Sequence, residues 1–124
     1  MADVFEITAT EDSPKIEFNK TAGTLHISGK SLPEDAFTFY QTALEWLNSY
    51  TLHAPQNTTA EFKLEYFNTA SSKQIFKILT LLKELSKTKS VSVKWFYDKG
   101  DKDMKLSGER FSKLCELPLE LIEN

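Results

Sequence analysis

Two short stretches of this 124-residue chain hold most of the side chains whose type and spacing could do chemistry. The first, FNTASSK, runs from Phe67 to Lys73 and sets the hydroxyls of Thr69, Ser71 and Ser72 beside Asn68 and Ala70. Asn, Thr and Ser before an apolar-periodic run are what a helix start needs, because their side-chain oxygens accept from the free N–H groups of the first turn. The same hydroxyls can carry a phosphoryl group, and a phosphate at a helix N-terminus meets unpaired donors and the positive end of the dipole. The second stretch, YDKGDKDM, places Asp98, Asp101 and Asp103 near one another. Carboxylates so spaced could ligate a divalent cation, but Lys99 and Lys102 are interleaved and the Asp-x-Asp-x-Asp-Gly spacing of a calcium loop is missing. The stretch reads as a solvated strand-to-helix loop, with a partner-contact patch as the functional alternative and a small metal-binding protein as a further rival.

No other segment has the pattern of a catalytic or cofactor site. The Gly-x-x-x-x-Gly-Lys, Gly-x-Gly-x-x-Gly and His-Glu-x-x-His patterns are all missing, and His26 and His53 lie in different elements without ligand spacing. Cys115, the only cysteine, has no partner for a disulfide or a zinc pair and reads as a small core residue. The expectation is a protein that is not an enzyme, with no cofactor and no metal. A formal net charge of -3 gives no basic footprint for nucleic acid. No apolar run approaches the ~20 residues that span a bilayer, and the N-terminus MADVFEITATED is acidic where a secretory leader is basic and then apolar. A cytoplasmic location without membrane insertion is therefore expected.

The elements that must position these residues follow from hydrophobic periodicity. The length suits one core, so a single domain over residues 1–124 is expected. KIEFNKTAGTLHISGK reads as a hairpin, with Ile16 and Phe18 alternating before the turn, Leu25 and Ile27 after it, and Gly23 in it. Ala36, Phe37, Tyr40, Ala43, Leu44, Leu47 and Tyr50 recur at helical spacing behind Ser31 and Glu34, which have the capping-box spacing. TTAEFKLEYF puts Phe62, Leu64 and Tyr66 on one face of a strand, and Ile75, Ile78, Leu79, Leu82 and Leu85 stripe a second helix. SVSVKWFYD is another strand, with Trp95 inward and Phe96 outward, and GERFSKLCEL is a third helix that stops before Pro118. The result is an α/β fold of order β-β-α-β-α-β-α, a mixed sheet of four to five strands packed with about three helices, VFEIT supplying the optional edge strand.

In this frame FNTASSK sits at a strand-to-helix seam. Read as caps, Asn68, Thr69, Ser71 and Ser72 compete for one position, with Ser71 to Gln74 and Thr69 to Ser72 near capping spacing. Read as a modification site, a phosphate there brings about -1.5 to -2 charges at pH 7 without opposing the helix, while repelling or blocking a partner on the same surface. Lys73 in the first turns would screen part of that charge. The residues by themselves leave both readings open.

The order of elements and the hydroxyl-rich seam resemble the STAS domains of anti-sigma-factor antagonists. GKSLPEDA (Gly29 to Ala36), EWLNSY (Glu45 to Tyr50), LEYFNTASSK (Leu64 to Lys73) and VKWFYDKGDKDM (Val93 to Met104) look like the blocks of the SiaC family of bacterial regulatory phosphoproteins, from about Pro14 to Glu123. That resemblance implies an adaptor phosphorylated at Thr69, with Ser71 or Ser72 as alternatives, by a Ser/Thr protein kinase and cleared by a PP2C-type phosphatase. It implies that the unphosphorylated form binds and activates a diguanylate cyclase in cyclic di-GMP control of biofilm or aggregation. The implied partner surface takes in Asn68, Thr69, Ala70, Ser71, Lys73, Asp98, Asp101 and Asp103. A STAS-like module acting on another effector, such as an anti-sigma-type kinase, is the alternative. Ala70 stands where the family commonly has serine, and Lys99, Gly100 and Lys102 interrupt a block that is more acidic there.

Overall fold

A computed structural model describes the whole chain, Met1–Asn124. The expected hairpin joins β2 (Lys15–Asn19) to β3 (Thr24–Ser31), with Gly23 at φ 69° in the turn. Then α1 (Ala36–His53), β4 (Asn57–Phe67), α2 (Thr69–Leu85), β5 (Ser90–Tyr97) and α3 (Lys102–Cys115) alternate. Two edge strands complete the sheet: β1 (Val4–Ile7), antiparallel to β2, and β6 (Leu119–Glu123), parallel to β5. The sheet thus has six strands in simple order β1-β2-β3-β4-β5-β6, rather than four to five.

From β3 onward every strand is parallel to its neighbour and each crossover carries one helix. Right-handed crossovers advancing in one direction lay all three helices on the same face of the sheet. That face holds a core of 25 buried residues, among them Phe18, Tyr40, Leu47, Phe62, Ile75, Leu79 and Trp95. The other face is polar. One row of it runs across all six strands as Glu6, Glu17, His26, Glu61, Lys94 and Glu120, with His26 Nε2 3.8 Å from Glu61. Phe96 lies on this face, half-buried under the Lys63 ammonium at 4.6 Å, so a sheet covered on one side leaves it outward as its alternation predicts.

Three local expectations are corrected. The register between β3 and β4 shifts from Gly29–Leu64 to Lys30–Tyr66, so Glu65 is an extra residue in β4. A bulge reverses the alternation beyond it. Tyr66 is therefore 58% exposed instead of sharing the face of Phe62 and Leu64, and Phe67 turns inward against Trp95 and Phe111. Secondly, α1 is capped by Asp35, whose carboxylate accepts from the Thr38 N–H at 3.1 Å and its hydroxyl at 2.7 Å. Ser31 cannot serve as that cap, because it ends β3 with its hydroxyl used inside the core. Finally, α3 begins at Lys102, well before GERFSKLCEL, because Asp101 accepts from the Met104 N–H at 3.0 Å and caps it.

Candidate functional site

The carboxyl ends of the parallel strands β3, β4 and β5 share one edge of the sheet, where open α/β sheets place their ligand sites. FNTASSK lies at the end of β4 and the Asp98–Asp103 turn at the end of β5, so the fold brings both sequence stretches to this edge. The bulge at Glu65 sits two residues before the first of them.

Asn68 decides the capping question. It is half-buried, its Oδ1 accepts from the Ser71 N–H at 2.8 Å, and its own N–H donates to the Ser31 carbonyl at 3.0 Å. One cap is enough, which frees the other polar residues of the seam from that task. Thr69 is then the first helical residue, exposed, followed by exposed Ala70. Neither backbone N–H finds an acceptor within the protein. Lys73 is exposed one turn further on, and Ser72 is half-buried on the side facing α3.

Ser71 behaves differently from its neighbours, and its reading as an alternative acceptor or a partner contact is corrected. It is 0% exposed, its hydroxyl donating to the Ser31 carbonyl at 3.0 Å and accepting from the Ser31 hydroxyl at 2.8 Å. The Ser31 hydroxyl also lies 2.6 Å from that of Tyr40. Since Ser31 spends its proton on Ser71, the Tyr40 hydroxyl must be the donor of that bond. The chain Tyr40 to Ser31 to Ser71 thus ties α1, β3 and the first turn of α2 together beneath Thr69. Burial pushes the Tyr40 hydroxyl up to about 12, opposed in part by the Ser31 contact. No enzyme or partner can reach the Ser71 hydroxyl without unpacking this corner.

The three aspartates do not converge. Asp101 is occupied as the α3 cap, Asp103 is exposed in the first turn of that helix, and Asp98 accepts from the Asn124 side chain at 3.3 Å. No group of three His, Cys, Asp or Glu side chains is close enough to hold a metal ion. His26 is on the polar sheet face and His53 ends α1, while Cys115 is buried in the core, where burial raises its thiol.

Several surface features escaped the sequence reading. Phe37 is 58% exposed on α1 with the Lys77 ammonium 5.2 Å above its ring, and Phe76 is 40% exposed on α2. A groove of about 310 Å³ between these helices is lined by Leu44, Asn48, Phe76, Lys77, Thr80 and Leu81. On the opposite flank of α2, Phe67, Ser72, Ser107, Arg110, Phe111 and Leu114 line a smaller cavity of about 90 Å³. Phe76 falls outside the Ile75, Ile78, Leu79, Leu82 and Leu85 stripe, which was the available signal, whereas Phe37, counted in the apolar stripe of α1, is corrected to its exposed side.

Comparison with known proteins agrees with this fold. A curated relative from Pseudomonas aeruginosa, itself uncharacterized, is 28% identical over 122 residues, 98% of this chain and 96% of its own length. SiaC of Pseudomonas aeruginosa superposes at a TM-score of 0.89 with 26% identity, covering 99% of this chain and all of that one. A crystal structure of the diguanylate cyclase SiaD in complex with its activator SiaC from the same organism matches at a TM-score of 0.90, again at 26% identity, covering 97% and 99% of the two chains. The sequence itself matches the family over residues 7–124, and the chain belongs to the SiaC family of regulatory phosphoproteins.

Proposed function

We propose that this chain is a non-enzymatic, cytoplasmic signalling adaptor, residues 1–124 forming one regulatory domain, switched by reversible phosphorylation of Thr69. The observation that carries the reading is the division of labour at the seam. Asn68 caps α2, Ser71 is locked in the core, and Thr69 is left exposed beside two unpaired N–H groups. A phosphate there adds about -1.5 to -2 charges at a helix N-terminus that favours them, so the fold is kept while the surface changes sign. Ser72 is the alternative acceptor, less open to a kinase because it faces α3.

Family membership supports a Ser/Thr kinase and a PP2C-type phosphatase as the enzymes that write and erase the mark. Likeness to an activator solved on its cyclase supports a diguanylate cyclase as the effector, bound and activated by the unphosphorylated form. The exposed aromatics Phe37 on α1, Tyr66 near the end of β4 and Phe76 on α2 offer apolar contacts, with Asn68, Ala70 and Lys73 at the seam and Asp98, Asp101 and Asp103 at the carboxyl end of β5. A dianion among such contacts would have to be desolvated when a partner docks, and that cost releases the partner.

The test is cyclic di-GMP synthesis by the diguanylate cyclase of the same organism, with the unmodified protein and with the protein carrying phosphothreonine at position 69. The unmodified form should raise synthesis and the phosphorylated form should leave it at the basal rate. Equal activation by both forms would refute the switch.

A further inference from the structure

We propose that the small cavity between α2 and α3 is the seat of the phosphoryl group carried by Thr69, with Arg110 as the arginine that pairs with it; this rests on Thr69 being the acceptor. Arg110 is the only arginine in the chain. It stands exposed on α3 and makes no ion pair or hydrogen bond within the protein, although the chain has 18 acidic residues to offer. No carboxylate lines the cavity that it borders. An arginine that borders a cavity together with Phe67, Phe111 and Leu114 and pairs with no native carboxylate is free for an anion that arrives later.

The sequence positions of the lining residues say where that anion comes from. Phe67 and Ser72 bracket Thr69, so the cavity opens at the first turn of α2 on the side of α3. Thr69 and Ser72 are three residues apart on one helix, which places their Cβ atoms about 5–6 Å from each other on the same side. The Ser72 hydroxyl has no partner in the protein and can donate to a phosphate oxygen, as can the free N–H groups of Thr69 and Ala70. Ser107 spends its proton on the Asp103 carbonyl at 2.9 Å, so it is no donor to the anion, and that role falls to Arg110, Ser72 and the helix N–H groups. Arginine matches a phosphate with two parallel N–H donors, which neither Lys73 nor Lys77 can do. A phosphate seated in this way turns from the exposed side of α2 toward α3, and the modified state becomes a fixed surface instead of a loose charge.

The test uses the full-length protein with phosphothreonine incorporated directly at position 69, so no kinase is needed. The second ionisation of the phosphate is followed by ³¹P NMR in the parent, in Arg110→Gln and in Lys73→Gln. An opposite charge in contact lowers a pKa, so the parent should titrate about 0.5 to 1 pH unit below Arg110→Gln, with Lys73→Gln close to the parent. Coincident curves for the parent and Arg110→Gln, or a shift carried wholly by Lys73, would overturn the seat. Failure to find phosphate on Thr69 in cells would instead count against the acceptor and leave the NMR result standing. Arg110 is exposed, so its replacement keeps the fold, and circular dichroism of each variant verifies this.

Discussion

Replacing Ser71 with alanine probes how the seam is held. The substitution removes a hydroxyl that donates at 3.0 Å and accepts at 2.8 Å, at a position with no exposure. Two buried hydrogen bonds are worth about 1 kcal/mol each, and the Ser31 hydroxyl proton left without an acceptor adds about 1–2 kcal/mol, while the Ser31 carbonyl keeps the Asn68 N–H and the Ser31 oxygen keeps the Tyr40 hydroxyl. Alanine regains up to ~0.5 kcal/mol in helix propensity, so Ser71→Ala should cost about 2–4 kcal/mol. Tyr40→Phe removes only the 2.6 Å contact and leaves the Ser31 proton satisfied by Ser71, so its loss is smaller, about 1–2 kcal/mol. Members of one network couple, and the double variant should depart from additivity by ~0.5 kcal/mol or more. Urea unfolding of the four proteins, with m-values compared to detect a changed unfolded state, measures all three quantities. A loss below about 0.5 kcal/mol for Ser71→Ala together with strict additivity would show that these contacts carry no stability and do not seal Ser71 from kinases.

Stability should also fall in alkali. The folded-state value for Tyr40 is raised to about 12 from an ordinary 10.0, so its contribution is fully present below pH 10 and is lost as pH rises toward 12. The slope is up to ~1.4 kcal/mol per pH unit in that window, and Tyr40→Phe should flatten it, leaving the part due to Tyr50, whose hydroxyl burial also raises. Gly108→Ala should destabilise although alanine is the better helix former. Its Cβ would lie 2.5 Å from Trp95 Cδ1 and 2.7 Å from Leu121 Cδ2. Overpacking of that kind costs about 1–3 kcal/mol against a propensity gain of ~1, and a higher urea midpoint for the variant would refute the close packing. Millimolar Mg²⁺ or Ca²⁺ should leave the thermal midpoint unchanged, because a bound cation would raise it and Asp101 is already used as a cap. A rise that grows with cation concentration would reopen the Asp98–Asp103 turn as a metal site.

Periodicity made the interior of the fold legible. The alternation in β4 up to Leu64, the stripe of α2 and the hairpin around Gly23 all lie where apolar spacing puts them. The misses have local causes. β6 is a strand of five residues directly after Pro118 and resembles a tail until β5 offers it a parallel edge. The first turns of α3 are polar, and the Asp101 cap is disguised among other charges. The bulge at Glu65 leaves no mark in composition, yet it exchanges the fates of Tyr66 and Phe67. At the site, the cluster of Asn, Thr and Ser was visible, but which residue caps, which is buried and which is free depends on Ser31, 40 positions upstream of Ser71. The same holds for Arg110, which meets Ser72 only because α2 and α3 pack side by side.

Intact-mass analysis with peptide mapping decides whether Thr69 carries a reversible phosphate. The protein is purified from its native host with phosphatase inhibitors, from parent cells and from cells carrying Thr69→Ala. A switch at Thr69 gives a monophosphorylated species whose modified peptide assigns the group to Thr69 and which disappears in Thr69→Ala. Phosphate that persists in Thr69→Ala and maps to Ser72, or a chain that stays unmodified under all growth conditions even when its kinase is overproduced, would contradict it.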